Sequence, residues 1–154
     1  MNLSVEVAGV KRLTGKLTAI PESTHQKVKR AIQQATALVE AGAKPLCPVD
    51  TGTLRASIRS RVDDGNGKIV GRVFTGVEYA AYVEFGTGAL AVGTYPYKTD
   101  KPLSYSPKKA WHYKDSEGVW HIGVSQPARP FLGRAFNENK RTIKQLLTEA
   151  TKGK

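Results

Sequence analysis

The chain has 154 residues, 40% of them hydrophobic and 24% charged, ordinary globular usage that excludes collagen-like, wholly disordered and membrane-spanning classes. Its 24 Lys and Arg outweigh 13 Asp and Glu by +11, which keeps a polyanion in view as a partner without establishing one. One core is expected at this length, no run approaches the roughly 20 apolar residues of a bilayer crossing, no signal-peptide order opens the chain, and the single cysteine, Cys47, excludes an internal disulfide.

Asn2 to Val10 alternates weakly between apolar and polar residues and predicts a short strand that ends at Gly9. Pro21 to Gln26 predicts a helix start, with Ser23 and Gln26 as a capping box. Val28, Ile32, Ala35 and Val39 follow at spacings of four, three and four, a stripe flanked by Ala31, Leu38 and Gly42, with Lys27, Arg30, Gln33 and Gln34 on the opposite face. Proline lacks an amide donor, so this helix is expected to stop before Pro45 and Pro48.

In the segment Pro48 to Ile58, Asp50 or Thr51 is expected to cap a helical turn with Leu54 and Ile58 on one side. Ile58–Val62 and Lys68–Phe74 then read as a hairpin joined by the five residues 63–67, whose Asp-Gly and Asn-Gly pairs tolerate positive backbone angles. Val77–Phe85 fits a short helix better than a strand. Residues 86–110 are rich in Gly, Pro, Ser, Thr and Lys, show no periodicity, and predict an extended assembly arm. Trp111–Val124 predicts a second hairpin with Asp115–Gly118 as its turn, a register that sets His112 against His121 and Tyr113 against Trp120. Last, Leu132, Ala135, Phe136, Ile143, Leu146, Leu147 and Ala150 describe an amphipathic C-terminal helix with basic residues late in it. The expected class is therefore α+β: a small antiparallel sheet packed against a long N-terminal helix and a C-terminal helix, within a single domain over 1–154 that carries a long arm.

Reactive groups are sparse. The His112/His121 pair lacks a third metal ligand, Cys47 has no evident base and reads as a buried thiol, and no phosphate-binding glycine loop is present. Glu78 and Glu84, six apart, make no acid–base pair on their own. No catalytic residue, metal site or cofactor is expected, and the chain reads as a non-enzyme.

Three segments instead combine turn formers with large anchors: Pro48-Val-Asp-Thr-Gly-Thr-Leu-Arg-Ala-Ser-Ile58, Tyr82-Val-Glu-Phe-Gly-Thr87 and Pro127-Ala-Arg-Pro-Phe-Leu132. In these segments, taken in order, the sequence resembles the tail-completion, or head-tail joining, family of tailed bacteriophages, and the resemblance spans nearly the whole chain. It implies a virion structural protein, assembled in the bacterial cytoplasm, that forms a homo-oligomeric ring at the neck and contacts other neck and tail proteins, with DNA nearby and no membrane.

On physical grounds the Asp50 carboxylate is expected to cap its turn, Gly52 to allow close backbone passage and Arg55 to point outward. Tyr82 and Phe85 are expected to form an aromatic anchor with Gly86-Thr87 as a hinge, and Phe131, after Pro130, to lock the last helix onto the sheet. Glu84, set between Val83 and Phe85, is awkward to bury alone and is expected to pair with an arginine, within the chain or across a subunit boundary. Tyr95, Tyr97 and Tyr105 on the arm, together with the aromatic hairpin, are expected to touch a neighbouring subunit or the tail. The alternative is a basic nucleic-acid-binding accessory protein.

Overall fold

In the computed structural model, residues 3–6, 21–65, 67–87, 90, 96, 111–114, 118–123 and 125–152 are described. Strand β1 (Leu3–Glu6) is followed by helix α1 (Glu22–Leu46), α2 (Thr53–Ser57), strands β2 (Arg59–Gly65) and β3 (Lys68–Thr75), α3 (Ala80–Phe85), strands β4 (Trp111–Lys114) and β5 (Trp120–Gly123), and α4 (Leu132–Thr151). The sheet order is β1-β3-β2, antiparallel throughout, with β4 and β5 as a separate pair. This is the expected α+β arrangement.

Helix α1 organises the core. Val28, Ile32, Ala35 and Val39 are all buried, as the stripe requires, and the basic opposite face is exposed; Leu38, expected beside the stripe, is more exposed than buried neighbours such as Ala31. The capping box does not form. Pro21 is the N-cap, its carbonyl accepts from the amides of Thr24 and His25, and Gln26 donates to Glu22 one turn back. Nor does Pro45 stop the helix: placed in the last turn, it forfeits one backbone bond while α1 continues to Leu46. The stop comes at Cys47, whose ψ of 123° is the extended geometry forced on a residue before proline, here Pro48.

Beneath α1, β3 alternates cleanly. Ile69, Gly71, Val73 and Thr75 are buried, and Val70, Arg72 and Phe74 lie on the other, half-open face. The helix packs tightly over Gly71, where an added Cβ would overlap the side-chain methyls of Thr36 and Ile32. Gly71→Ala is therefore expected to destabilise the fold by about 1–3 kcal/mol. Adding Thr36→Ser, which removes one of the two methyls, should recover part of that loss in chemical denaturation.

The first hairpin is tighter than its sequence signals imply. Pairing continues to Gly65–Lys68, so two residues rather than five connect the strands, and Gly67 takes a φ of 69°. Asp63 and Asp64 are strand residues. Asp63 pairs with Arg61 and Arg72 on the open face, while Asp64 takes bonds from His25 and Lys29 of α1, which hold its carboxyl below the usual range. Further along the same contact, the Ser60 hydroxyl and Lys44 both donate to Glu40. Burial pushes the Glu40 carboxyl up, but its bonds to Lys44 and Ser60 outweigh that and the net shift is downward.

A carboxyl whose folded pKa is depressed stabilises the fold above its unfolded pKa and loses that contribution as pH falls through the folded one. Glu40→Gln should thus cost about 1 kcal/mol near pH 7. In parallel denaturation curves, the gap from the parent should close below about pH 4.

Helix α4 runs antiparallel along α1. Ala135 and Asn139 meet Gly42 at one end, and Ala150 clusters with Val28, Ala31 and Ile32 at the other. Its expected apolar set is buried or half-buried, though its last turn carries no basic residue. The second hairpin slips one place from expectation: Trp111 pairs with Gly123, His112 with Ile122, Tyr113 with His121 and Lys114 with Trp120, so five residues join the strands and the two histidines are not cross-strand partners.

Candidate functional site

The three motif segments converge where α4 begins. Helix α3 is short, and its buried positions, Ala80 and Glu84, are one turn apart. Glu84 is 1% exposed and Tyr82, on the far side of the turn, is 55% exposed. One Glu84 oxygen accepts from the amides of Phe131 at 2.8 Å and Leu132 at 2.9 Å, and the other accepts from Gly133 at 2.8 Å. The first amides of a helix have no partner inside it and carry the positive end of its dipole, and the N-cap Phe131 supplies no acceptor of its own. Glu84 therefore caps α4 from a different helix. Main-chain amides thus donate to both carboxylate oxygens.

The chain leaving α3 is fastened to the same segment. Arg129 donates its amide to the Val83 carbonyl at 2.9 Å, and Thr87 and Gln126 exchange main-chain bonds of 2.8 and 3.1 Å. The Thr87 hydroxyl also accepts from the Gln126 amide. Between them Gly86 is buried with a φ of 79°, and a Cβ there would lie 2.5 Å from the Gln126 oxygen and 2.7 Å from the Ala128 nitrogen. Gly86-Thr87 is thus a clamp and not the expected hinge. Phe85 and Pro130 are half-buried, and Phe131 is fully buried in a cluster with Val73 of β3, Ile58 and Leu54, as its locking role requires.

The first segment forms the adjoining wall. Leu54 and Ile58 are buried as expected, but Asp50 is exposed and caps nothing; the nearest substitute is a 3.4 Å bond from the Thr53 amide to the Thr51 hydroxyl. Gly52, at φ 84°, has no atom within 4 Å of the place a Cβ would occupy, so its backbone conformation, not close passage, is what calls for glycine. Arg55 is exposed and reaches the Cys47 carbonyl at 3.4 Å. Cys47 is buried, and burial pushes its thiol pKa up; the Arg55 charge opposes that shift and the Glu84 charge adds to it. The thiol is consequently held protonated, as a small apolar filler. Outside this joint, Leu46, Pro48, Pro96, Ala128, Arg129, Pro130 and Arg134 line an open groove of about 590 Å³.

Of the predicted site residues, Glu84, Phe85, Gly86, Thr87, Pro130 and Phe131 meet in one joint, with Asp50, Thr51, Gly52 and Arg55 on the neighbouring turn. Tyr95, Tyr97 and Tyr105 lie outside the described residues. Among the described residues, no three His, Cys, Asp or Glu side chains gather as a metal site would need, and no helix is long and apolar enough to cross a membrane. The bond between Glu84 and the α4 amides escapes a reading of the sequence; the one hint is that Pro127 to Leu132 opens a helix with no Ser, Thr, Asp or Asn to cap it locally.

Residues 11–86 match the model of a family described as "Bacteriophage HK97-gp10, putative tail-component". The matched range holds α1, the first two segments up to Gly86, and the first hairpin; the third segment lies beyond it. Neither the curated proteins nor the solved structures give a match.

Proposed function

Taking the chain, through residues 11–86, as a member of the HK97-gp10-like family of phage tail components, we propose that it is a non-enzymatic structural protein of the virion that joins head to tail or completes the tail, by assembling with itself into a ring. The observation that carries this reading is the division of labour within the second segment. Glu84 and Gly86 are consumed in an internal joint, while Tyr82, and Tyr79 one turn earlier, stand 55% and 45% exposed on the same rigid element. Large aromatics held on a fixed support give contact area at little entropic cost, which suits a protein interface. The Glu84 carboxylate is engaged with main-chain amides and the Cys47 thiol is buried.

Light scattering after size exclusion, combined with electron microscopy, tests the reading. The purified chain is expected to give rings at high concentration. Tyr82→Ala should keep the monomer's thermal unfolding within about 0.5 kcal/mol of the parent, as expected for an exposed position, while abolishing rings. Rings that persist in Tyr82→Ala would remove that surface from the interface, and a parent chain that stays monomeric at every concentration would remove the ring.

The nucleic-acid alternative has one specific support. Among the described residues, Lys27, Arg30, Lys140, Arg141, Lys144 and Lys152 enter no ion pair. If these cations hold phosphates, DNA affinity will fall steeply and log-linearly with salt; a flat dependence excludes it.

A further inference from the structure

We propose that the outer edge of β2 pairs with the same edge of a second copy, antiparallel and centred on Val62, to give a symmetric dimer. Strand β2 ends the sheet order, and among the described residues none of its main-chain groups, from Arg59 to Gly65, bonds other main chain beyond the sheet. A seven-residue open edge is a template for another strand, and proteins either guard such edges or use them.

The backbone decides which residues can take part. Because pairing runs to Gly65–Lys68 across a two-residue connection, Arg59, Arg61, Asp63 and Gly65 direct their amides and carbonyls toward β3. Ser60, Val62 and Asp64 direct theirs outward, and in an antiparallel ladder outward residues must meet outward residues. The Ser60 amide is engaged by the Glu40 carboxylate. The ladder therefore rests on both groups of Val62, the Ser60 carbonyl and the Asp64 amide.

Three central registers satisfy that rule, and charge separates them. Centring on Arg61 sets Arg61 against its own copy, and centring on Asp63 sets two aspartates together. Centring on Val62 sets Arg61 opposite Asp63 twice and Ser60 opposite Asp64 twice, with no like-charge pair. The Arg61 and Asp63 side chains are 60% and 45% exposed, and they already lie 3.2 Å apart on the open face of the sheet. The two copies would therefore build one six-stranded sheet with a four-membered Arg–Asp cluster across the dyad. The contact is isologous, the same patch used by both subunits.

Sedimentation analysis of the full chain at tens of micromolar, with circular dichroism to confirm folding, tests the pairing through charge reversal. The parent should contain dimers, alone or as units of a larger even-numbered assembly. Arg61→Asp turns both cross-dyad pairs into Asp–Asp, and Asp63→Arg turns both into Arg–Arg, so each variant alone should dissociate at least about tenfold more readily. Mixed one to one, the two variants regain an Arg–Asp pair at both positions, and the dimer should return. A monomeric parent overturns the proposal without reference to any variant, as does a parent mass that Arg61→Asp leaves unchanged. If Asp63→Arg does not fold, Arg61→Asp and the parent still decide the matter. Dissociated variants that do not re-pair on mixing overturn the Val62-centred register.

Discussion

Replacing Glu84 with leucine is expected to cost about 3–5 kcal/mol, since it leaves the amides of Phe131, Leu132 and Gly133 without an acceptor, and each buried unsatisfied amide costs about 1–3 kcal/mol less whatever relaxation or water recovers. Glutamine should fall between. It matches the shape of glutamate, yet one of its two terminal atoms is a donor. The favourable choice keeps the oxygen on the Phe131 and Leu132 amides and turns the NH2 group toward the Gly133 amide, donor against donor. The expected order of stability is therefore Glu, then Gln, then Leu, measured by denaturant midpoint. Hydrogen exchange should show the loss first at the amides of 131–133. Glu78, exposed and a turn away, is the control: Glu78→Gln should stay within about 0.5 kcal/mol of the parent. Equal stability of the parent and the Glu84→Gln variant would show that the amides have another acceptor.

Gly86→Ala is expected to be nearly as damaging, at about 3 kcal/mol or more. Its φ of 79° and ψ of −176° lie in a region reserved almost wholly for glycine, worth about 1–3 kcal/mol by itself. The new Cβ would also press on main-chain atoms of Gln126, Pro127 and Ala128 at 2.5–2.9 Å, and backbone cannot rotate away as a side chain can. Gly52→Ala separates the two causes. Gly52 also has positive φ, at 84°, but open space around it, so alanine there should cost only about 1–2 kcal/mol. If both substitutions cost the same, the contact between Gly86 and residues 126–128 contributes little, and the clamp is weaker than its geometry implies.

Much of this architecture is legible in the residues. The spacing of Val28, Ile32, Ala35 and Val39 fixes the inner face of α1, because burial imposes the helical period, and the Asp-Gly and Asn-Gly pairs announce the hairpin of β2 and β3. What sequence could not supply were choices settled by distant partners. Pro45 is tolerated because its missing amide forfeits a single bond, to the Ala41 carbonyl, and only Leu46 of the helix lies beyond it. Asp50 and Ser23 look like caps, but the short-range signal carries no information on whether another group, the Thr51 hydroxyl or the Pro21 carbonyl, reaches the amide first. The slip in the second hairpin, from His112 opposite His121 to His112 opposite Ile122, is a one-residue difference in connection length that composition does not encode. The place of Glu84 between Val83 and Phe85 does announce a carboxylate in need of a partner. The identity of that partner stays hidden, because main-chain amides leave no trace in the residue names of positions 131–133.

That last point bears on how the joint can change over time. A lock whose receiving half is peptide backbone is indifferent to which side chains hang from it; any residue other than proline presents the same N–H. The stretch that opens α4 is thus constrained at 132 and 133 by packing and the exclusion of proline, and the acceptor for its first amides is one acidic side chain borne by a different helix. Such a one-sided key lets the terminal helix be redesigned, or exchanged for a foreign one, with its attachment carried over unchanged.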